Sequence, residues 1–235
     1  MTARVASRAV ELYFQPYHSV ADEHMSRGEL LTRPADGGSA EDFFHPLSME
    51  EHFDILELQL QVQEALYSSA AWHVSINVYN KMVADPACRD RLLALMAVAP
   101  GSITVEFTET YRMPPVEETN HLLRSIRELG HWSALDDFGT GLNGMSLLTD
   151  YDFDIIKLDR SLVVDLPERI QKRKSIGLVQ EMLAVLGKDH VVEGVETEAV
   201  YTTLLDLGFT NFQGYLFSEP KNVSEFGVDV AALKS

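Results

Sequence analysis

The sequence predicts an α/β protein in which a single (β/α)8 TIM-like barrel occupies residues 1–235, and three observations carry that prediction. Short apolar runs alternate with helix-patterned stretches from about residue 72 onward. Polar residues stand at the ends of successive runs, and the steps from Asn77 to Glu106, Asp136, Lys157, Glu193 and Gln213 are 29, 30, 21, 36 and 20 residues, each about one strand plus one helix. Groups so spaced converge only where the strands are parallel and the sheet closes, with the site at its carboxyl edge. Length agrees, because 235 residues with 46% hydrophobic content fill one barrel of the usual roughly 250 residues and leave none for a second domain.

In chain order, residues 4–10 read as a short helix, residues 11–17 as a strand ended by proline, and residues 29–33 as a second strand. Residues 34–48 are the least regular stretch, with Gly37-Gly38-Ser39 as a loop. Ser48 caps a helix over 49–68, where Phe53, Leu56, Leu60 and Leu66 make an apolar stripe for core packing. Strands follow at 72–78, 103–107, 132–136, 155–158, 191–193 and 211–212, separated by helices near 88–97, 116–129, 175–186 and 199–207. With the two early strands these make eight.

Charge and composition narrow the function. A formal charge of −17 opposes nonspecific binding to nucleic-acid polymers or to an anionic membrane, and it repels a phosphate substrate unless bound divalent cations reverse the local sign. The apolar runs, such as residues 92–98, fall short of the about 20 residues that span a bilayer. The N-terminus lacks the apolar segment of a signal peptide, and the single cysteine, Cys88, excludes an internal disulfide. A cytoplasmic location is the expectation.

The chemistry centres on Asp136-Asp137-Phe138-Gly139-Thr140-Gly141, two adjacent carboxylates before a glycine-rich turn. In the strand 72–78, Ser75 and Asn77 share one face, which directs Asn77 to the barrel mouth. Asn77, Glu29, Glu106 and Asp136 offer only oxygen ligands, a set suited to Mg²⁺ or Mn²⁺, and Asp137 with Glu193 starts a second site. Two such ions sharing a carboxylate activate a water and stabilise the leaving oxygen of a phosphodiester. Lys157 lies in an apolar strand and needs partners there; a phosphate oxygen or the attacking water supplies one. Each residue also has a plainer reading: Asp136-Asp137 as a helix cap, Lys157 as an ion pair with Asp154 or Asp159, Glu196 as the opening of a helix. Their joint placement favours a site. The eight histidines lack metal-ligand spacing and are read as lying on the surface or behind the ligands.

Taken in order, Phe14-Gln15-Pro16, Glu29-Leu30-Leu31-Thr32-Arg33, Asn77, Glu106-Phe107-Thr108-Glu109, the Asp136–Gly141 run, Lys157-Leu158-Asp159-Arg160-Ser161, Glu193-Gly194-Val195-Glu196-Thr197 and Gln213-Gly214-Tyr215 resemble the EAL domains, bacterial phosphodiesterases that linearise cyclic di-GMP. The resemblance implies a barrel whose first strand is antiparallel to the rest. It implies two metals, one on Glu29, Asn77, Glu106 and Asp136 and the other on Asp136, Asp137 and Glu193, with Lys157 at the attacking water. It places Gln15 and Arg33 in the substrate pocket, Arg33 on a phosphate, and Asp159, Gln213 and Glu196 behind the ligands or on the substrate side. Glu109 would brace the loop after Asp137, and the product would be linear pGpG. A homodimer is compatible with it. The chain departs from the family's pattern at Leu30, where alanine is usual and a bulkier side chain comes beside Glu29, and at Leu142-Asn143-Gly144, where Tyr-Ser-Ser is usual. Two function classes follow: an active metal-dependent phosphodiesterase, which the complete acidic and lysine set favours, and a non-catalytic receptor or protein-interaction module on the same fold.

Overall fold

The computed structural model describes residues 3–5, 8–22, 25–108, 113–140 and 144–233. Its strands are β1 (Ala3–Val5), β2 (Arg8–Pro16), β3 (His18–Ser19), β4 (Arg27–Pro34), β5 (His73–Val78), β6 (Ile103–Thr108), β7 (Trp132–Phe138), β8 (Ile155–Leu158), β9 (Asp189–Val192), β10 (Asn211–Phe212) and β11 (Lys221–Asn222). Its helices are α1 (Ala40–Phe44), α2 (Met49–Ala70), α3 (Lys81–Ala84), α4 (Pro86–Met96), α5 (Val116–Glu128), α6 (Ser146–Asp150), α7 (Ile170–Leu186) and α8 (Glu198–Asp206).

All the strands belong to one sheet, in the order β1-β2-β4-β5-β6-β7-β8-β9-β10-β3, with β11 on β2. From β4 to β10 every pairing is parallel, as strands joined through helices require. β2 instead runs antiparallel to β4, with Gln15 opposite Glu29. Only Tyr17 separates β2 from β3, and β3 pairs antiparallel with β10. The same stretch of chain therefore borders the sheet at both ends and closes a (β/α)8 barrel with one reversed strand.

The helix expected over residues 4–10 does not form. Ala3, Arg4 and Val5 pair with Val10, Ala9 and Arg8 as an antiparallel ladder. A helix of seven residues has little stability of its own, whereas β1 satisfies the backbone groups along the outer edge of β2. The helix predicted from Ser48 does form: the Ser48 side chain accepts from Glu51 N while the Glu51 carboxylate accepts from Ser48 N at 2.8 Å, a reciprocal cap. Its buried face gains Ile55 and Val62 beside Phe53, Leu56 and Leu66, while Leu60 is only partly covered. Among the described residues no helix is long and apolar enough to cross a membrane.

Strand alternation divides the core in two. Leu30, Ile76, Phe107, Leu135, Ile156, Leu158 and Val192 point outward into the layer beneath the helices and are fully buried there. Inside the barrel, Tyr17, Ala134, Ile155 and Val191 form a separate apolar cluster, with Ser75 and Thr104 buried beside them. Two residues further along the same strands stand Asn77, Glu106, Asp136, Lys157 and Glu193, so a small apolar floor carries a polar layer at the mouth.

Candidate active site

The polar layer is organised around Lys157, whose side chain is 1% exposed. Its ammonium lies 2.8 Å from Glu106 Oε2, 2.8 Å from Glu193 Oε1, 2.9 Å from Asp136 Oδ1 and 3.2 Å from Glu29 Oε2. One cation thus meets four carboxylates from β4, β6, β7 and the end of β9. The plainer reading of Lys157 as a partner of Asp154 or Asp159 does not hold: Asp154 binds Arg127 at 2.6 Å, and Asp159 accepts from Ser161 N at 2.8 Å.

Two adjacent aspartates face the same site because β7 carries a bulge. Leu135 pairs with Ile156 and Phe138 with Leu158, so three steps on β7 match two on β8. Asp137 absorbs the extra residue at φ 58°, a left-handed conformation that aspartate tolerates better than most side chains. The register then recovers, Phe138 turns outward to the core, and Asp137 stays at the mouth, where its Oδ2 accepts from Thr108 Oγ1 at 3.1 Å.

Glu29 is fixed from three sides, by Lys157, by Asn77 Nδ2 at 2.7 Å and by Gln213 Nε2 at 2.9 Å. The Gln213 amide also donates to Gln15 Oε1 at 2.9 Å, and Gln15 Nε2 donates to Ser218 O at 2.9 Å. Both glutamines are buried directly behind Glu29. Gly214 permits that approach, since a Cβ there would stand 2.1 Å from the Val195 carbonyl oxygen.

The electrostatics follow from burial of many like charges. Burial raises Asp136 to about 6 and Glu193 to about 8 against the pull of Lys157. It also raises Glu106 well above the carboxylate range and Asp137 above its usual value. Glu29 is the exception: burial opposes its charge, but Lys157 and the donors Gln213 and Asn77 overcome that and lower its pKa. Lys157 loses solvation yet is held charged well above its usual range by Asp136, Glu106, Glu193 and Glu29.

A pH dependence of the metal-free fold follows from these directions. Acids whose folded pKa is raised stabilise the fold below their unfolded pKa, and that contribution is lost as pH rises through the folded values. For Asp136 and Glu193 the window runs from the ordinary carboxylate range up to about 6 and about 8. Thermal melts in EDTA should therefore show Tm falling from about pH 5.5 to 8.5, at about 2–4 °C per kcal/mol for a chain of this size, with Mn²⁺ removing the fall. A Tm in EDTA that is level or rising across that range would contradict the assignment.

The donor set suits divalent cations. Ligand atoms of Glu29, Glu106 and Asp136 lie within 4.8 Å of one another, as do those of Asp136, Asp137 and Glu193, and Asp136 belongs to both groups. All are carboxylate oxygens, the choice of hard cations. Beside them opens a cavity of about 410 Å³ lined by Glu29, Asn77, Asp136 and Asp137 and also by Arg33, Phe44, His52, Gln59 and Tyr79. His52 and Tyr79 stack at 4.2 Å between ring centres.

The remaining predicted residues are spread around this centre. Arg33 is exposed at the cavity rim. Asp159 caps the turn after β8 and adds its charge to those that raise Asp137, and Glu196 pairs with Arg160 at 3.1 Å on the surface. Glu109 and the loop residues Leu142 and Asn143 lie outside the described residues. Leu30 does not crowd Glu29, because strand alternation sends it outward into the core. The histidines divide: His52, His131 and His190 are buried, and His131 bonds to Met96 O at 2.9 Å and to Ile103 N at 3.3 Å as part of the packing. Two residues went unread in the sequence, Thr108 on Asp137 and Tyr17, whose hydroxyl donates to Glu106 Oε1 at 3.1 Å. Tyr17 stands two places after Gln15, and the alternation that turns Gln15 inward would have found it.

A barrel with one reversed strand and a mouth full of carboxylates defines a class, and sequence comparison agrees with it. A model of the EAL domain matches residues 2–220, and the chain belongs to that family. It is 30% identical over 228 residues to the cyclic di-GMP phosphodiesterase NbdA of Pseudomonas aeruginosa, covering 90% of this chain and 29% of that protein. Among solved structures it resembles the EAL domain of DcpA from Mycobacterium smegmatis, with 25% identity, a TM-score of 0.75, and 96% and 97% of the two chains covered. It also resembles BlrP1 of Klebsiella pneumoniae in complexes of cyclic di-GMP with calcium and with manganese, with 27% identity, TM-scores of 0.78 and 0.77, and 95% of this chain and 59% of that one covered. The chain spans less than half the length of the curated relatives that it matches along most of its own.

Proposed function

We propose that this chain is a hydrolytic domain that opens cyclic di-GMP to linear pGpG in the cytoplasm, using two divalent cations, Mg²⁺ or Mn²⁺. The observation that carries this reading is the convergence of four carboxylates on one buried lysine, with a fifth, Asp137, beside them, next to a cavity of about 410 Å³. With Glu29, Glu106, Asp136, Asp137 and Glu193 ionised and Lys157 charged, the layer would carry five negative charges and one positive. Two divalent cations would balance the difference of four. Glu29, Asn77, Glu106 and Asp136 would hold one, and Asp136, Asp137 and Glu193 the other. Bound there, such ions lower the pKa of water and stabilise the charge that develops on phosphate oxygens.

The chain's own groups then have distinct tasks. Water attacks phosphorus, the bond from phosphorus to the 3′ oxygen breaks, and the leaving oxygen takes a proton. Lys157 donates hydrogen bonds that orient the attacking water and offsets the negative charge that grows on the phosphoryl group. Arg33, at the cavity rim, meets the second phosphate, and the stacked rings of Phe44, His52 and Tyr79 line the part of the cavity that takes a guanine. Gln15 and Gln213 act through Glu29, which they hold in place.

The test is incubation of purified protein with cyclic di-GMP and Mg²⁺ or Mn²⁺, with separation of nucleotides by chromatography. The expected result is pGpG, lost in excess EDTA, with Ca²⁺ supporting binding but little turnover because its larger and looser coordination misplaces the reacting water. Binding without product would identify a receptor instead. Product in excess EDTA would sink the metal reading.

A further inference from the structure

Beneath the carboxylates, the floor of the barrel holds Tyr17, a large side chain with a polar tip. Its ring packs with Ala134, Ile155 and Val191, and its hydroxyl, also hydrogen-bonded to Ser75, donates upward to Glu106 Oε1 at 3.1 Å. The other oxygen of Glu106 accepts from Lys157 at 2.8 Å, so two donors from two directions fix this carboxylate, which is 1% exposed. Tyr17 is itself well anchored. It lies at the seam where the barrel closes, between β2 and β3, and its backbone N donates to Arg27 O at 2.8 Å. A donor on so fixed a segment sets the orientation of its acceptor rather than following it.

We infer that Tyr17 is a positioning residue for Glu106: its hydroxyl holds the carboxylate in the orientation that presents it to the cation site shared with Glu29 and Asp136. The inference rests on the metal reading of the proposed function. Lys157 cannot fill this role alone, because its ammonium is divided among four carboxylates. Loss of the phenol hydroxyl would leave Glu106 free to rotate toward Lys157.

The experiment is calorimetric titration of Mn²⁺ into the wild-type chain and into Tyr17→Phe, which keeps the ring and its packing and removes only the hydroxyl. The variant should bind Mn²⁺ about 10–100-fold more weakly, the usual effect of removing a group that orients a metal ligand. Its Tm in EDTA should stay within about 2 °C of wild type. In a Glu106→Gln background the same change should add no further loss, since the two residues act as one unit. Wild-type Mn²⁺ affinity in Tyr17→Phe, an additive loss in the Glu106→Gln background, or a variant that fails to fold without metal would each overturn the inference and return Tyr17 to barrel packing. A wild-type chain that takes up no Mn²⁺ would overturn the metal reading as well, so the two failures are told apart.

Discussion

Replacing Lys157 by alanine should cut hydrolysis of cyclic di-GMP by about 10³-fold or more and, separately, destabilise the metal-free fold by about 3–5 kcal/mol at neutral pH. The two effects have different origins. Stability falls because four buried carboxylates lose the cation between them, a case in which removing one partner leaves uncompensated charge in a site with little water. The loss should shrink as pH falls through about 8 and then about 6, where Glu193 and Asp136 in turn take up protons and need no counter-charge. Divalent cations should restore stability, since they supply the missing charge, but not turnover, since they cannot replace the donor at the attacking water. Urea titrations in EDTA and in Mn²⁺, paired with single-turnover rates, separate the outcomes. A variant that hydrolyses at the wild-type rate once Mn²⁺ has restored its fold would reduce Lys157 to a structural cation.

Asp136→Asn should move stability and activity in opposite directions. Asp136 is common to both groups of ligands, so one substitution should remove Mn²⁺ binding from both and lower hydrolysis by about 10³-fold or more. Without metal at about pH 8 the same variant should melt a few degrees higher than wild type, because the pKa of Asp136 near 6 means that its charge is disfavoured in the fold, while asparagine keeps its shape without the charge. Lys157 retains Glu29, Glu106 and Glu193. A drop in metal-free stability would show that Asp136 is needed chiefly to neutralise Lys157.

Much of this was legible from residue type and spacing. The parallel strands and their inward residues follow from an alternation of two along each strand and a step of 20 to 36 residues between them, and the strands at residues 155–158 and 211–212 fall where the pattern sets them. The convergence of Glu29, Glu106, Asp136 and Glu193 needs only those two periodicities plus closure. Local patterning failed where pairing across the sheet decides. Residues 4–10 have no strong signal and take their conformation from the edge of β2. The bulge at Asp137 is invisible in hydropathy, because it depends on a register with β8 that two neighbouring residues cannot report. Gln15 and Gln213 read equally well as substrate contacts until the fold puts them at hydrogen-bond distance from each other, 198 positions apart in sequence. The inward position of Tyr17 follows from the alternation of β2, but its partner does not: Glu106 is 89 positions away.

The bulge in β7 bears on how such a site can arise. A regular strand turns every second side chain away, so no exchange of one residue for another on an unbroken β7 could bring two neighbouring carboxylates to the mouth. One added residue does so, provided that it accepts a left-handed backbone, as Asp137 does at φ 58°. The shortest mutational route from a barrel with one carboxylate on this strand to a barrel with two is therefore an insertion, and deleting Asp137 would retrace it, leaving a straighter strand and a site with a single aspartate.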